Sequence, residues 1–132
     1  MSTIIATTLS NGSVSVPTAT VVNGSAKAWV NFNGTGTIAA RDSFNVASLT
    51  DNGTGDYTVS FTSAMANSTY AAHGTGSTFF GTYRGVVQIV MSGTSTPSLY
   101  STTQVQVALD NPDIDVRMDV GLVNLLIGGD LA

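Results

Sequence analysis

Apolar and polar residues alternate with period two along most of this chain, the spacing of strands whose successive side chains point to opposite faces. Ala26, Ala28, Val30 and Phe32 fall on one face of a predicted strand, and Lys27, Trp29 and Asn31 on the other. Phe44, Val46 and Ser48 alternate with Asn45, Ala47 and Leu49. Tyr57, Val59 and Phe61 alternate with Thr58, Ser60 and Thr62, the cleanest half-buried pattern in the sequence. In residues 85–91, Val87, Ile89 and Met91 stand opposite Val86, Gln88 and Val90, so both faces are largely apolar and a central position suits the strand. Residues 104–109 point Val105, Val107 and Leu109 inward and Gln104 and Gln106 outward. Residues 120–127 are apolar on both faces. No window of a dozen residues keeps a 3.6-residue period without glycine or a β-branched run. The pattern therefore predicts roughly eight to ten strands and little or no helix.

Turn signals punctuate these runs. Asn-Gly occurs at Asn11-Gly12, Asn23-Gly24, Asn33-Gly34 and Asn52-Gly53, and each pair tolerates the positive φ of a hairpin turn. Residues 4–9 and 13–16 form a hairpin candidate closed by Pro17, either the first pair of the main sheet or an arm that docks elsewhere. Residues 72–81 are glycine-rich and are predicted as a long loop. The expected architecture is all-β: an antiparallel β-sandwich, jelly-roll-like, over residues 25–132, with residues 1–24 as an N-terminal arm or first hairpin. Trp29, Phe32, Phe44, Tyr57, Phe61 and Val107 are expected to carry packing, in the core or between subunits.

Composition sharpens this picture. Of 132 residues, 42% are hydrophobic and only 9% are charged, against about 25% charged in ordinary domains. Thr, Ser and Asn are abundant and Glu is absent. A disordered, solvated chain is excluded by this balance. The net charge is −4, and the basic residues are Lys27, Arg41, Arg84 and Arg117, which leaves no patch for a phosphate backbone; no nucleic-acid partner is expected. Cysteine is absent, so there is neither a disulfide framework nor a thiolate metal site. The start of the chain lacks a basic region followed by an apolar run, so no signal peptide is expected. The most apolar run is eight residues, against about 20 for a membrane-spanning helix, so no membrane insertion is expected. Edge strands are ordinarily guarded by charge, and this chain has little to spend on them. Self-assembly, or cover by another protein, is the expectation that follows.

Candidate chemistry is thin. His73 is the one histidine; a Ser-His-Asp triad would need it as base, with Ser77 or Ser43 available, but no G-x-S-x-G turn exists. A structural loop histidine is the simpler reading. Asp110, Asp113, Asp115 and Asp119 cluster in DNPDIDVRMD, without the glycine and bidentate Glu of a calcium loop. Asp113 and Asp115 are expected to pair with Arg117. Asp51 and Asp56 bracket a turn and are expected to bond their own backbone. GTGST at residues 74–78 lacks the Lys of a phosphate loop. Five N-x-S/T sequons begin at Asn11, Asn23, Asn33, Asn52 and Asn67, as abundance of these residues alone would give. Trp29, Tyr70, Tyr83 and Tyr100 are candidates either for stacking on saccharide or for packing. No catalytic residue, cofactor or metal is expected.

One stretch is recognisable. AKAWVNFNGTG (residues 26–36), RDSFNV (41–46) and LTDNGTGDYTVSFTSAM (49–65), with Tyr70 following, closely resemble a segment common in bacteriophage tail-fibre and related virion proteins. The match covers a little over a third of the chain. The resemblance implies a non-enzymatic, β-rich module that works as a homotrimer on the virion, made in the host cytoplasm. Its implied partners are other virion structural proteins of the tail or capsid, with host-surface glycan as a further candidate. Only about 25 residues precede the module, where a tail fibre carries a long shaft. That departure favours a small virion subunit, for which capsid decoration on the head is the alternative to a tail module. Either the N-terminal arm or residues 120–127 would be the docking element.

Overall fold

The computed structural model describes residues 2–77, 86–89, 100–111 and 116–132. The chain is an antiparallel β-sandwich with a short appended arm. In chain order the strands are β1 (Thr8–Ser10), β2 (Ser15–Pro17), β3 (Ala26–Asn33), β4 (Ala39–Phe44), β5 (Val46–Gly53), β6 (Asp56–Phe61), β7 (Ala71–Gly76), β8 (Val86–Ile89), β9 (Gln104–Asn111), β10 (Val116–Arg117) and β11 (Val123–Gly128), with one helix, α1 (Thr18–Gly24). One sheet has the order β4-β3-β11-β7; the other runs β10-β9-β6-β5, with β8 also paired to β9. The hairpin β1–β2 forms its own small sheet.

The alternation read from the sequence sets the core. Ala28, Val30 and Phe32 on β3 sit beside Ile127, Leu125 and Val123 on β11, and all six are buried. From the facing sheet, Tyr57 and Val59 on β6 pair with Val107 and Val105 on β9, also buried. Leu109, Phe61, Met65, Tyr70 and Val120 complete the layer. Phe32 meets Tyr57 edge to face with ring centroids 5.3 Å apart, the geometry aromatic quadrupoles favour.

The chain crosses between sheets at a residue the alternation did not reveal. Phe44 and Val46 were expected in one strand, but Asn45 takes φ 56° and separates β4 from β5. Asn is among the few non-glycine residues that tolerate this conformation. Its side chain holds the corner: Nδ2 donates to the carbonyls of Lys27 (2.9 Å) and Ser63 (3.1 Å), and Oδ1 accepts from the Ser63 N–H (2.7 Å).

Other expectations are corrected. Residues 71–76, expected mostly as loop, form β7, which pairs along the whole of β11; backbone pairing there outweighs the glycines. The remainder of that predicted loop, 78–81, lies outside the described residues. Among the described residues β8 pairs only with β9 rather than holding a central place. Asn23-Gly24 ends α1 instead of turning a hairpin. Asn11-Gly12 does turn β1 into β2, where the Asn11 side chain accepts from the N–H groups of Ser13 and Val14. In β5–β6 the tight loop is Thr54-Gly55, two residues beyond Asn52-Gly53.

The arm is built differently from the sandwich. No residue of α1 is buried, and Ile4, Ile5, Val14 and Val22 are strongly exposed. Its root is fixed by Lys27, which is buried and donates from Nζ to the carbonyls of Val22 and Ser25 and to Ser25 Oγ. An ammonium has three N–H donors, so all three are engaged, and the charge sits where helix-end carbonyls favour it.

The packing candidates divide accordingly. Phe32, Tyr57, Phe61 and Val107 are core residues, whereas Phe44 is 51% exposed and Trp29 is half-buried on the outer face. Replacing Phe32 by Ala should cost about 3–5 kcal/mol in urea unfolding. Phe44→Ala should cost less than about 1 kcal/mol in the same measurement, because little cavity forms at an exposed ring.

Candidate functional site

The outer face of the β4-β3-β11-β7 sheet gathers the chemistry that the core does not use. Strand register decides which side chains meet there. Leu126 on β11 pairs with Trp29 on one side and His73 on the other, and Trp29 pairs with Phe44. One residue pair along, Asn124 lies between Asn31 and Thr75, and Asn31 pairs with Asp42. Two parallel rows therefore cross the four strands: Phe44, Trp29, Leu126, His73, and beside it Asp42, Asn31, Asn124, Thr75.

The second row is a hydrogen-bonded ladder. Asn31 Nδ2 donates to Asn124 Oδ1 (2.5 Å), and Asn124 Nδ2 donates to Thr75 Oγ1 (3.2 Å). Arg41 Nη1 donates to Asn31 Oδ1 (3.2 Å), while its other terminal nitrogen donates to the Gly121 carbonyl. Between the rows lies an open groove of about 340 Å³ lined by Trp29, Asn31, His73, Thr75, Asn124 and Leu126. Trp29 was expected on the polar face of β3, and it is there. The neighbours that make that face a surface come from β11 and β7, far away in sequence.

Among the described residues no catalytic grouping forms around His73. It is exposed on β7, and no hydrogen bond joins it to a serine or carboxylate among the described residues. Nor do three or more metal-ligating side chains cluster among those residues. Asp113 and Asp115, expected to pair with Arg117, lie outside the described residues, as does Tyr83. Among the described residues Arg117 contacts Asp56 and approaches Asp110 at 3.8 Å. Asp51 bonds its own backbone as expected, accepting from the Gly53 N–H at 2.9 Å. Asp56 does not: besides Arg117 it receives Asn52 Nδ2 and Gln106 Nε2. The sequon asparagines at 11, 33 and 67 accept from backbone or hydroxyl groups two residues on, the local turn chemistry of asparagine.

Two buried tyrosines, Tyr57 and Tyr70, make hydrogen bonds that the period-two pattern does not specify. The Tyr57 hydroxyl lies 2.7 Å from Asp119 Oδ1 and 2.6 Å from the Gly34 carbonyl, and the same carboxylate oxygen accepts from the Gly55 N–H at 2.7 Å. Glycine is required on both sides. A Cβ at Gly34 would stand 2.8 Å from the Tyr57 hydroxyl, and one at Gly55, where φ is 62°, would stand 2.7 Å from the Met118 nitrogen. Tyr70, a candidate for exposed stacking, is buried. Its ring meets Phe61 and Tyr100, and its hydroxyl reaches the carbonyls of Ser101 and Gln104.

Burial pushes the Tyr57 hydroxyl well above the ordinary tyrosine range, and the hydrogen bond to the Asp119 carboxylate pushes it the same way. Tyr70 is raised chiefly by burial, with Tyr100 adding to it. The folded state therefore keeps protons that the unfolded chain releases near pH 10. The stability these groups contribute is complete below that pH and is lost as pH rises through their folded values. Urea midpoints should fall steadily above about pH 10, and the fall should be shallower in Tyr57→Phe and Tyr70→Phe. At pH 7, Tyr57→Phe should itself cost about 1–3 kcal/mol, since it removes a donor from Asp119.

Comparison with protein families, with curated proteins and with solved structures finds no match to this chain.

Proposed function

We propose that the chain is a non-enzymatic structural subunit of a bacteriophage virion, which self-assembles as a homotrimer and docks on a larger tail or head component. The observation that carries this reading is the arm. The first 26 residues, the arm and the start of β3, hold no charged side chain. Ile4 and Ile5 are 93% and 94% exposed, and Val14 is 70% exposed, with Leu9, Val21 and Val22 also open to solvent.

Magnitudes favour a covered arm. Burying one large aliphatic side chain is worth about 1.5–3 kcal/mol. Six of them give on the order of 10 kcal/mol, enough to offset much of the entropy lost on association. A monomer would leave all of that unused while presenting a sticky, uncharged segment to every other protein. The resemblance of residues 26–65 to virion proteins points the same way. Head decoration and tail attachment make the same chemical demand on the arm.

Sedimentation should give three times the chain mass of 13.5 kDa; a single-chain mass at micromolar concentration would overturn self-assembly. Purified virions of the phage that encodes the chain should carry it on their surface, detected by antibody labelling. A doubly substituted arm, Ile4→Ser with Ile5→Ser, should leave the sandwich folded by circular dichroism yet reduce incorporation at least about tenfold.

A further inference from the structure

We propose that the fold singles out Asn11-Gly12, the tip of the β1–β2 hairpin, as a site of spontaneous deamidation, which places a carboxylate in an otherwise uncharged arm. The chemistry lies within one chain and does not rest on the virion reading; its effect on docking does.

The reaction needs no partner but water. The Gly12 backbone nitrogen loses its proton and bonds to Asn11 Cγ, closing a succinimide ring. The Cγ–Nδ2 bond breaks, and Nδ2 leaves with that proton as ammonia. Water then opens the ring. Cleavage at Cγ leaves aspartate in an ordinary backbone. Cleavage at the Asn11 main-chain carbonyl leaves isoaspartate, whose backbone runs through the side chain and is longer by a carbon. A following glycine favours ring closure, because no side chain shields the attacking nitrogen and its backbone is the freest to turn.

Four Asn-Gly pairs occur, and the fold treats them differently. At Asn33 the Gly34 N–H is tied to the Val120 carbonyl (3.0 Å), and Nδ2 donates to the Thr35 carbonyl (2.7 Å). Gly34 is also packed so closely that a Cβ there would stand 2.8 Å from the Tyr57 hydroxyl. At Asn52 both N–H groups of Nδ2 are used, on Asp56 Oδ1 (3.1 Å) and Thr58 Oγ1 (2.9 Å). The Gly53 N–H donates to the Asp51 carboxylate, whose charge opposes an amide anion beside it. At Asn23 the following Gly24 is the last residue of α1, and helical geometry turns its N–H along the axis, toward the carbonyl four residues back.

Asn11 is arranged for the reaction instead. Its Oδ1 accepts from the N–H groups of Ser13 (3.1 Å) and Val14 (2.9 Å). Two such donors draw electrons from Cγ and hold the negative charge that builds on Oδ1 during attack, as an oxyanion hole does. The leaving nitrogen, Nδ2, is held by no hydrogen bond among the described residues. The Gly12 N–H meets a neutral acceptor, Ser10 Oγ at 3.1 Å. Nothing stands within 4 Å of where a Gly12 Cβ would lie, and the whole turn is exposed, so ring closure meets no packing.

The product changes the arm. Its residues carry no charged side chain, and burying an unpaired carboxylate against a partner is costly. A deamidated arm is therefore a poorer docking element, and chains left free in solution lose competence with age.

The test is peptide mapping by mass spectrometry of the folded full chain held in mildly alkaline buffer, with isoaspartate read by enzymatic methylation. Asn11 should convert first, at least about tenfold faster than Asn33 and Asn52 and ahead of Asn23. In urea, where every turn is lost, the four pairs should convert at similar rates. Conversion led by any other asparagine in the folded chain overturns the proposal. So does an equal preference for Asn11 in urea, which would make it a property of local sequence rather than of the fold. Asn11→Asp keeps the Oδ1 acceptor of the turn and adds only the charge; it should reduce incorporation into virions, whereas Asn11→Gln should not. Equal incorporation of the two overturns the effect on docking. Virions that lack every form of the chain count against the virion reading alone, and the peptide map still decides the proposal.

Discussion

Two apolar sheet faces pressed together are the interaction on which the rest of the molecule depends. Phe32, Val30, Leu125 and Ile127 on one side and Tyr57, Val59, Val105 and Val107 on the other are all buried. Because side chains alternate along a strand, every residue given to that layer leaves a neighbour pointing out. With 9% charged residues, the outward positions go to hydroxyls, amides and a few aromatics. The amide ladder and the Trp29 row are thus the other half of the same alternation that makes the core.

The few ions are largely spent on holding the fold. Lys27 fixes the root of the arm to the sandwich, and Arg41 spans from β4 to the segment before β11. Arg117 ties β10 to β6 through Asp56. Asp119 accepts from Tyr57 and from Gly55, joining the loop before β11 to the β5–β6 turn and the start of β6, where the Tyr57 hydroxyl also lies against the Gly34 carbonyl just after β3. Each exposed or half-exposed pair alone contributes little; the buried tyrosine bond contributes more, because its loss takes one of the donors from a partly buried carboxylate. What remains for the edges is sparse. β7, at one end of the four-stranded sheet among the described residues, carries no Asp, Glu, Lys or Arg, the charges that ordinarily guard an edge.

The arm and the sandwich obey opposite rules. In the sandwich, apolar residues are inside and the surface is polar; in the arm, apolar residues are outside and nothing is buried. A segment of that kind does not stabilise its own chain. Its hairpin and short helix are held mainly by local turns and by the hydrogen bond network at Lys27, a conformation ready to be covered.

The period-two pattern alone determined the all-β class, the inward faces of β3, β6 and β9, and core positions such as Phe32, Tyr57, Phe61 and Val107, because alternation against one buried layer is a local property of a strand. The hairpin closed by Pro17 was also legible, though not whether it would join the main sheet. Tertiary structure decided the rest. Asn45 breaks an apparently continuous strand because its side chain finds Lys27 and Ser63 from other segments. The glycine-rich residues 71–76 become a strand because β11 supplies a full set of pairing partners. Phe44 leaves the core because its register sets it opposite Trp29 on the outer face. The groove itself joins β3, β11 and β7, whose residues stand up to about ninety positions apart, and no local pattern specifies which distant strands become neighbours.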